Sequence, residues 1–413
     1  MKLKILKTLA KKLLESKLLN FFGISIINFD LLKYTNHYKW IFKFNKIPNQ
    51  TIVFNKAKKV QEKDIHLCER LIKAYGEATN DKLQTKDTSQ LWETILRERY
   101  GKLVSVLESG NPKTLAVTLS SMFLESFVYG LFAGDLVKHS YSKIGKKIWS
   151  MKYQDNLLAL AEYLGVVRTE SPQQGKSAEA LKEGVDQLVA KIESSVNTSM
   201  NFPDVGAPYG IKGNGSLITM EHPEHFYVAL RIHQAVQLYL DGQSGNNLNI
   251  MEIGGGFGSL AHWIHKQGRI PINTYTIIDL PIVNVIQGYF LSQAFDPSQV
   301  RLYAENPEGK PIFQVFPTQA VDSWDTKIDV LINENSMPEM TNEIVENYLR
   351  FARKNVEGIF FSCNHEAYAP IYGTHQVLVP EIAARVSGLT RVSRNASWVR
   401  TGYVEETYEI NQL

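Results

Sequence analysis

Cysteine is almost missing: only Cys68 and Cys363 occur in 413 residues, far apart and without the paired spacing of a metal site. Two such thiols give no disulfide framework, so apolar burial must hold the fold, and they suit a reducing, cytoplasmic compartment. A zinc centre is not expected, nor any other metal. Long apolar runs are missing too. The longest, residues 115–137, is interrupted by Ser120, Ser121, Glu125 and Ser126 and reads as a buried helix rather than a membrane span. The N-terminal lysines are not followed by an uninterrupted apolar stretch and a small-residue cleavage site, so a secretory signal is not expected. Charge of one sign is scarce as well: the formal net charge of +3 is too small for the whole chain to bind nucleic acid. With 44% hydrophobic and 21% charged residues the composition is ordinary and globular, and the length allows two domains, since single cores stop growing near roughly 250–300 residues.

What is present is concentrated in one run, Asn249-Ile250-Met251-Glu252-Ile253-Gly254-Gly255-Gly256-Phe257-Gly258. It reads as a buried strand that breaks into a glycine turn. Glycines at 254, 256 and 258 permit positive φ and let a ligand approach where a Cβ would collide. Ser259 onward then reads as a helix whose free N–H groups face that ligand. Gly256, Gly258 and Ala261 satisfy the looser dinucleotide fingerprint, so glycine spacing alone leaves a nicotinamide or flavin cofactor open. Glu252 decides between them. Beside a pyrophosphate its charge would cost about 1 to 4 kcal/mol, whereas S-adenosylmethionine has no phosphate and carries a sulfonium and an ammonium cation. S-adenosylmethionine is therefore the expected cofactor.

A second acid, Asp279, ends the β-branched run Thr274-Tyr275-Thr276-Ile277-Ile278, about where a βαβ unit places the group that grips ribose hydroxyls. It serves as the ribose ligand, as a cap for the helix opened by Leu280-Pro281, or as both.

The segments Glu252–Gly258, Ile278-Asp279-Leu280-Pro281 and Ile332-Asn333-Glu334-Asn335-Ser336-Met337-Pro338-Glu339-Met340 resemble the sugar O-methyltransferase family, within the class I S-adenosylmethionine-dependent methyltransferases. The resemblance covers about residues 205–413 and extends to the helical region 100–135. The glycine turn and Asp-Leu-Pro carry the class; the Asn-Ser-Met-x-Glu-Met segment carries the sugar family. It implies pocket residues Asn335, Ser336, Glu339 and Met340.

The surrounding pattern is consistent with that class. Helical periodicity recurs at residues 65–74, 92–107, 115–131, 156–164 and 178–192, a helical region spanning 61–200 that either covers the acceptor site or builds a homodimer. Beyond a boundary near residue 200, Tyr209-Gly210-Ile211 and residues 216–220 read as a hairpin, followed by a helix over 224–240. Strands are expected at 249–253, 274–278, 312–316, 329–333 and 358–362 with helices between, and an antiparallel hairpin at 389–398 and 404–410 closes the sheet. The expectation is thus α/β: a class I methyltransferase Rossmann-like seven-stranded sheet with a C-terminal antiparallel hairpin, over residues 201–413, preceded by an α-helical N-terminal domain.

Ligands of open α/β sheets lie past the carboxyl ends of the strands. Glu252, Gly254, Gly255, Gly256, Gly258, Asp279, Leu280 and Asn333 are accordingly the expected cofactor residues. Methyl transfer to a hydroxyl needs an oriented acceptor and a base but no covalent nucleophile. Glu339 and His365 are the candidate bases; Glu339 could instead complement a helix dipole, and His365 could be structural. Asn335, Ser336, His222 and His225 are the expected acceptor contacts. The acceptor is a sugar or glycan, with a non-sugar metabolite, or a binding role without catalysis, as the rival readings. Finally, residues 1–46 hold ten lysines against Glu15 and Asp30, and residues 1–20 form a basic amphipathic helix. That helix either lies on an anionic membrane surface at the inner face or docks on the protein itself or a partner.

Overall fold

The computed structural model describes residues 50–80, 89–132, 143–169, 183–240, 247–306, 309–371 and 374–411. The basic amphipathic segment 1–20 lies outside them. The C-terminal half is built on an eight-stranded sheet. In chain order its strands are β4 (Leu248–Ile253), β5 (Ile272–Asp279), β6 (Val300–Leu302), β7 (Phe313–Pro317), β8 (Ile328–Glu334), β9 (Val356–His365), β12 (Leu389–Ala396) and β13 (Tyr403–Ile410), in the spatial order β12-β13-β9-β8-β4-β5-β7-β6. Strands β6, β7, β5, β4, β8 and β9 run parallel, and the β12–β13 hairpin adds antiparallel to β9. The seven expected strands are all there. The expected count of seven becomes eight because Val300-Arg301-Leu302 adds to the edge of β7, a three-residue strand too short to leave a periodic signal.

The parallel strands are apolar on both faces because each face is covered. One face sends Met251, Ile253, Ile278, Leu331 and Phe360 into a core closed by helices α10 (Asn342–Asn355) and α11 (Val379–Ala383). The other sends Ile250, Ile277, Ile332 and Phe361 into a larger core shared with α7 (His222–Tyr239), α8 (Ser259–Gln267), α9 (Pro281–Ala294) and the N-terminal helices. Those are α1 (Glu62–Asn80), α2 (Gln90–Arg99), α3 (Gly101–Glu108), α4 (Pro112–Leu119), α5 (Lys143–Tyr163) and α6 (Val185–Val196). This apolar core continues across residue 200 without a break. Strand β1 (Val53–Phe54) pairs with β2 (Tyr209–Gly213), which pairs with β3 (Ser216–Ile218) across the tight Asn214-Gly215 turn, so residues near 53 and near 210 share one small sheet. The remaining pair, β10 (Pro370–Ile371) and β11 (Thr374–His375), follows β9.

One expected helix is shorter than its pattern. Residues 115–131 read as continuous, but α4 stops at Leu119 and short 3-10 turns follow at Met122–Leu124 and Ser126–Val128. The reason is tertiary. The Ser120 hydroxyl turns back onto the Val117 carbonyl, and the Phe123 amide donates to Gly206 at 3.0 Å rather than to a helical partner. Phe123 thereby enters an aromatic cluster with Phe132, Phe202, Phe257 and Phe290. Because Phe257 lies inside the glycine turn, this cluster ties the N-terminal helices directly to it.

Candidate active site

A cavity of about 830 Å³ opens at the carboxyl ends of β4, β5, β8 and β9. At one end lies the glycine turn. Gly254 (φ 72°) is forced: a Cβ there would sit 2.1 Å from the Ser336 hydroxyl oxygen. Gly256 (φ 55°) differs, since a Cβ would meet nothing within 4 Å and the backbone is open to a ligand. Gly258 caps α8 and packs beside Leu291, outside the cavity lining.

Glu252 and Asp279 flank this turn. Glu252 is 1% exposed and accepts a hydrogen bond from the Tyr275 hydroxyl at 2.9 Å. Burial pushes its carboxyl up to about 8 despite that bond, with the Asp279 charge adding to the rise. Asp279 is likewise pushed up by burial, to about 7. It accepts from the Leu280 amide at 2.8 Å and from the Gln287 side-chain amide at 2.7 Å, and the Gly255 amide also supports it. A carboxylate has roughly four acceptor positions, so at least one remains for a hydroxyl. No side chain caps α9, whose N-cap is Leu280, so Asp279 is not occupied as its cap. Gln287 is fully buried and also donates to the Gly256 carbonyl at 2.9 Å, locking acid and turn together; nothing in the sequence pattern singled it out.

After β8 the chain turns sharply. Asn335 takes φ 64°, and the Asn333 side chain donates to the Ile253 carbonyl at 2.9 Å and to the Ser336 hydroxyl at 2.6 Å. Asn333 is fully buried and does not line the cavity; it holds the β4 end and the post-β8 turn in one piece. That turn presents Asn335, Ser336, Glu339 and Met340 to the cavity. Glu339 accepts from the Trp92 indole N–H at 3.0 Å, and burial lifts its carboxyl to about 7 although that bond and Arg400 oppose the rise. His365 lines the cavity as well. Its Nδ1 accepts from the Ala367 amide at 3.2 Å and its Nε2 lies 3.2 Å from the Gln376 side-chain amide, with burial and Arg400 lowering its pKa.

The two histidines before α7 part company. His225 lines the cavity, with Nδ1 2.8 Å from the Ser259 hydroxyl and Nε2 3.6 Å from the Glu334 carboxylate. His222 does not reach it: its ring is fully buried and stacks on Trp263 at 4.1 Å.

The far end of the cavity holds a charged cluster that the sequence reading overlooked. The Arg400 guanidinium, from the β12–β13 turn, donates to Glu224 at 2.8 Å and lies 3.9 Å over the Tyr403 ring, and Asn335 donates to the same Glu224 oxygen at 3.4 Å. Burial raises the Glu224 pKa, but Arg400 and His225 outweigh it and hold the carboxyl below its ordinary range. Trp92, Tyr129, Trp149, Lys152, Asn156 and Thr401 complete this wall, the first five from the N-terminal helical half. No spacing in the sequence joins positions 92, 152, 224 and 400, so only their packing reveals the set.

No protein-family model and no curated protein matches the chain. Among solved structures, it is similar to magnesium protoporphyrin IX methyltransferase from Synechocystis with bound S-adenosylmethionine: 14% identity, 46% of this chain and 81% of that one covered, TM-score 0.31. It is also similar to the mitomycin 7-O-methyltransferase, at 12% identity over 84% of this chain and 94% of that one, TM-score 0.35. A third is the 1,6-didemethyltoxoflavin-N1-methyltransferase of Burkholderia thailandensis, at 16% identity over 45% and 80%, TM-score 0.30. Likenesses this distant assign no chemistry; that must come from the cavity.

Proposed function

We propose that this protein is an S-adenosylmethionine-dependent O-methyltransferase whose acceptor is a sugar hydroxyl, carried on a glycan or glycoconjugate. The observation that carries the reading is the pair of buried carboxyls, Glu252 and Asp279, flanking a glycine turn whose Gly256 backbone is open, with no lysine or arginine among the described residues that shift either acid. A cationic nucleoside favours the ionised form of these acids, whereas a pyrophosphate beside them would have to be met by neutral carboxyls or bear their repulsion. Glu252 and the turn would hold the aminoacyl portion, and Asp279, braced by Gln287, a ribose hydroxyl. When bound, S-adenosylmethionine supplies an electrophilic methyl group. The acceptor would enter from the Trp92, Trp149 and Arg400 side and meet Asn335, Ser336, His225, Glu339 and His365. Flat aromatic faces alternating with Asn156, Glu224 and Thr401 are the surfaces that ring hydroxyls and C–H faces require together.

Calorimetric titration with S-adenosylhomocysteine and with NADH tests the cofactor: binding of the first and not the second is expected, and the reverse sinks the reading. Assays of methyl transfer to nucleotide sugars, free sugars and phenolics test the acceptor. Turnover of phenolics alone would exclude the sugar. Residues 1–20 are proposed to contact an anionic membrane or a partner, and loss of liposome binding on their deletion is the expected result. Among the described residues no helix is long and apolar enough to cross a membrane.

A further inference from the structure

We propose that Glu334 is the group that takes the acceptor proton, with His225 as its positioning residue. This rests on the methyl-transfer reading above. Cross-strand register places Glu334 beside Cys363, and Cys363 beside Glu405, while Glu252 pairs with Ile332, two residues before Glu334. Since alternate residues share a face, Glu252, Glu334, Cys363 and Glu405 all point toward the side covered by α7. There Tyr227 donates to one Glu405 oxygen and Arg231 donates to the other at 2.6 Å, so each oxygen of that carboxylate has a donor. Those of Glu334 do not. It lines the cavity, is 6% exposed, and its Oε1 has no hydrogen-bond partner, while Oε2 lies 3.6 Å from His225 Nε2. A buried carboxyl oxygen left without a donor is costly unless a ligand supplies one.

The other candidates already have a protein donor. Glu339 accepts from the Trp92 indole N–H, which opposes the rise of its pKa. His365 Nδ1 accepts from the Ala367 amide and its Nε2 lies 3.2 Å from the Gln376 side-chain amide, so both ring nitrogens already face protein groups. Glu334 Oε1 faces none. Its environment also explains how it would be switched on. Burial, then Glu224, Glu252 and Glu405, raise its pKa well above the ordinary value, while Arg400 opposes them and His225 and Cys363 stand adjacent. A sulfonium arriving at the Glu252 end shifts that balance toward the carboxylate. The acceptor O–H proton then passes to Glu334, the oxygen keeps that electron pair to form its bond to the methyl carbon, and the pair of the broken carbon–sulfur bond stays on sulfur.

The test compares wild type, Glu334→Gln and Glu252→Gln by calorimetry, titrating S-adenosylmethionine and the uncharged-sulfur S-adenosylhomocysteine in buffers of different ionisation enthalpy. Wild type should release more protons with the sulfonium compound than with the thioether, and Glu334→Gln should lose part of that difference that Glu252→Gln retains. An unchanged difference in Glu334→Gln overturns the proposal. With an acceptor from the panel, Glu334→Gln should lower kcat on the order of 100-fold or more with the KM for S-adenosylmethionine little changed, and Glu334→Asp should recover part of the rate. His225→Gln should shift the pH profile rather than abolish turnover. Full turnover by Glu334→Gln, or a comparable loss only in Glu339→Gln or His365→Gln, overturns the assignment while leaving methyl transfer intact. A wild-type chain that binds neither nucleoside overturns the functional reading itself.

Discussion

The two ends of the cavity are built in opposite ways. The glycine-turn end comes from one continuous βαβα run: Glu252, Gly254, Gly256 and Asp279 lie within β4, the turn and β5, and Gln287 braces them from α9. The end proposed for the acceptor is assembled from Trp92, Trp149, Lys152, Glu224, Glu334 and Arg400, six residues on four separate helices or strands and one hairpin turn. The first is a local motif whose geometry is dictated by backbone torsions. The second exists only after the N-terminal helices have packed onto the sheet. Cofactor binding should therefore answer to backbone changes and acceptor use to changes in long-range packing.

The strongest way to break this contrast is Gly254→Ala. Its φ of 72° and the 2.1 Å approach to the Ser336 oxygen leave no room for a methyl group. Affinity for S-adenosylhomocysteine by calorimetry should fall on the order of 100-fold, equivalent to about 3 kcal/mol of strain and displacement. Normal affinity would detach the turn from cofactor binding.

Next in size, Arg400→Met leaves Glu224 buried without its partner. A cost of about 1–3 kcal/mol in thermal or denaturant unfolding is expected, below the usual value for a broken buried pair because Arg400 is 39% exposed. Turnover of the acceptor should fall with it, and S-adenosylhomocysteine affinity should not. Adding Glu224→Gln should return much of the stability; failure to do so means the pair is not what Arg400 contributes.

Asp279→Asn sharpens the near end. Loss of one hydrogen bond to a ribose hydroxyl should weaken S-adenosylhomocysteine about tenfold, equivalent to about 1.4 kcal/mol. No change would return Asp279 to a purely structural role beside Gln287.

The pH dependence follows from the same two acids. In the unfolded chain Glu252 and Asp279 ionise near their ordinary 4.5 and 3.8, but in the folded, ligand-free protein they keep their protons until about 8 and about 7. The folded state binds more protons across that interval, so these groups subtract stability as pH rises from about 4 toward 8. A cationic ligand favours the ionised forms. The affinity ratio of S-adenosylmethionine to S-adenosylhomocysteine should thus climb between pH 6 and 8 and level off above, and Glu252→Gln should flatten the climb. A ratio independent of pH in wild type would contradict the assigned environment.

Smallest of all, Trp92→Phe removes the indole N–H from Glu339 and should cost about 1 kcal/mol, seen as a severalfold rise in acceptor KM with cofactor affinity untouched.

The seven longer strands, the closing hairpin, the Asn214-Gly215 hairpin and the glycine turn were legible because period-two alternation and glycine torsions are local. The three-residue β6 and the end of α4 at Leu119 were not, since one needs a neighbour to pair with and the other yields to the Phe123 cluster. At the site, Glu252, Asp279, Asn335, Ser336, Glu339, His225 and His365 line the cavity. His222 was drawn instead onto Trp263, and Asn333 and Gly258 into supporting positions.

By itself the sequence determined where the chain must turn, which residues form the parallel sheet, and that an acid stands beside an open glycine backbone, because each is a property of neighbours along the chain. Only the tertiary structure decided that a tryptophan at position 92, glutamates at 224 and 334 and an arginine at 400 meet in one cavity. Their separations are set by helix packing against the sheet, and packing leaves no mark on the spacing of residues.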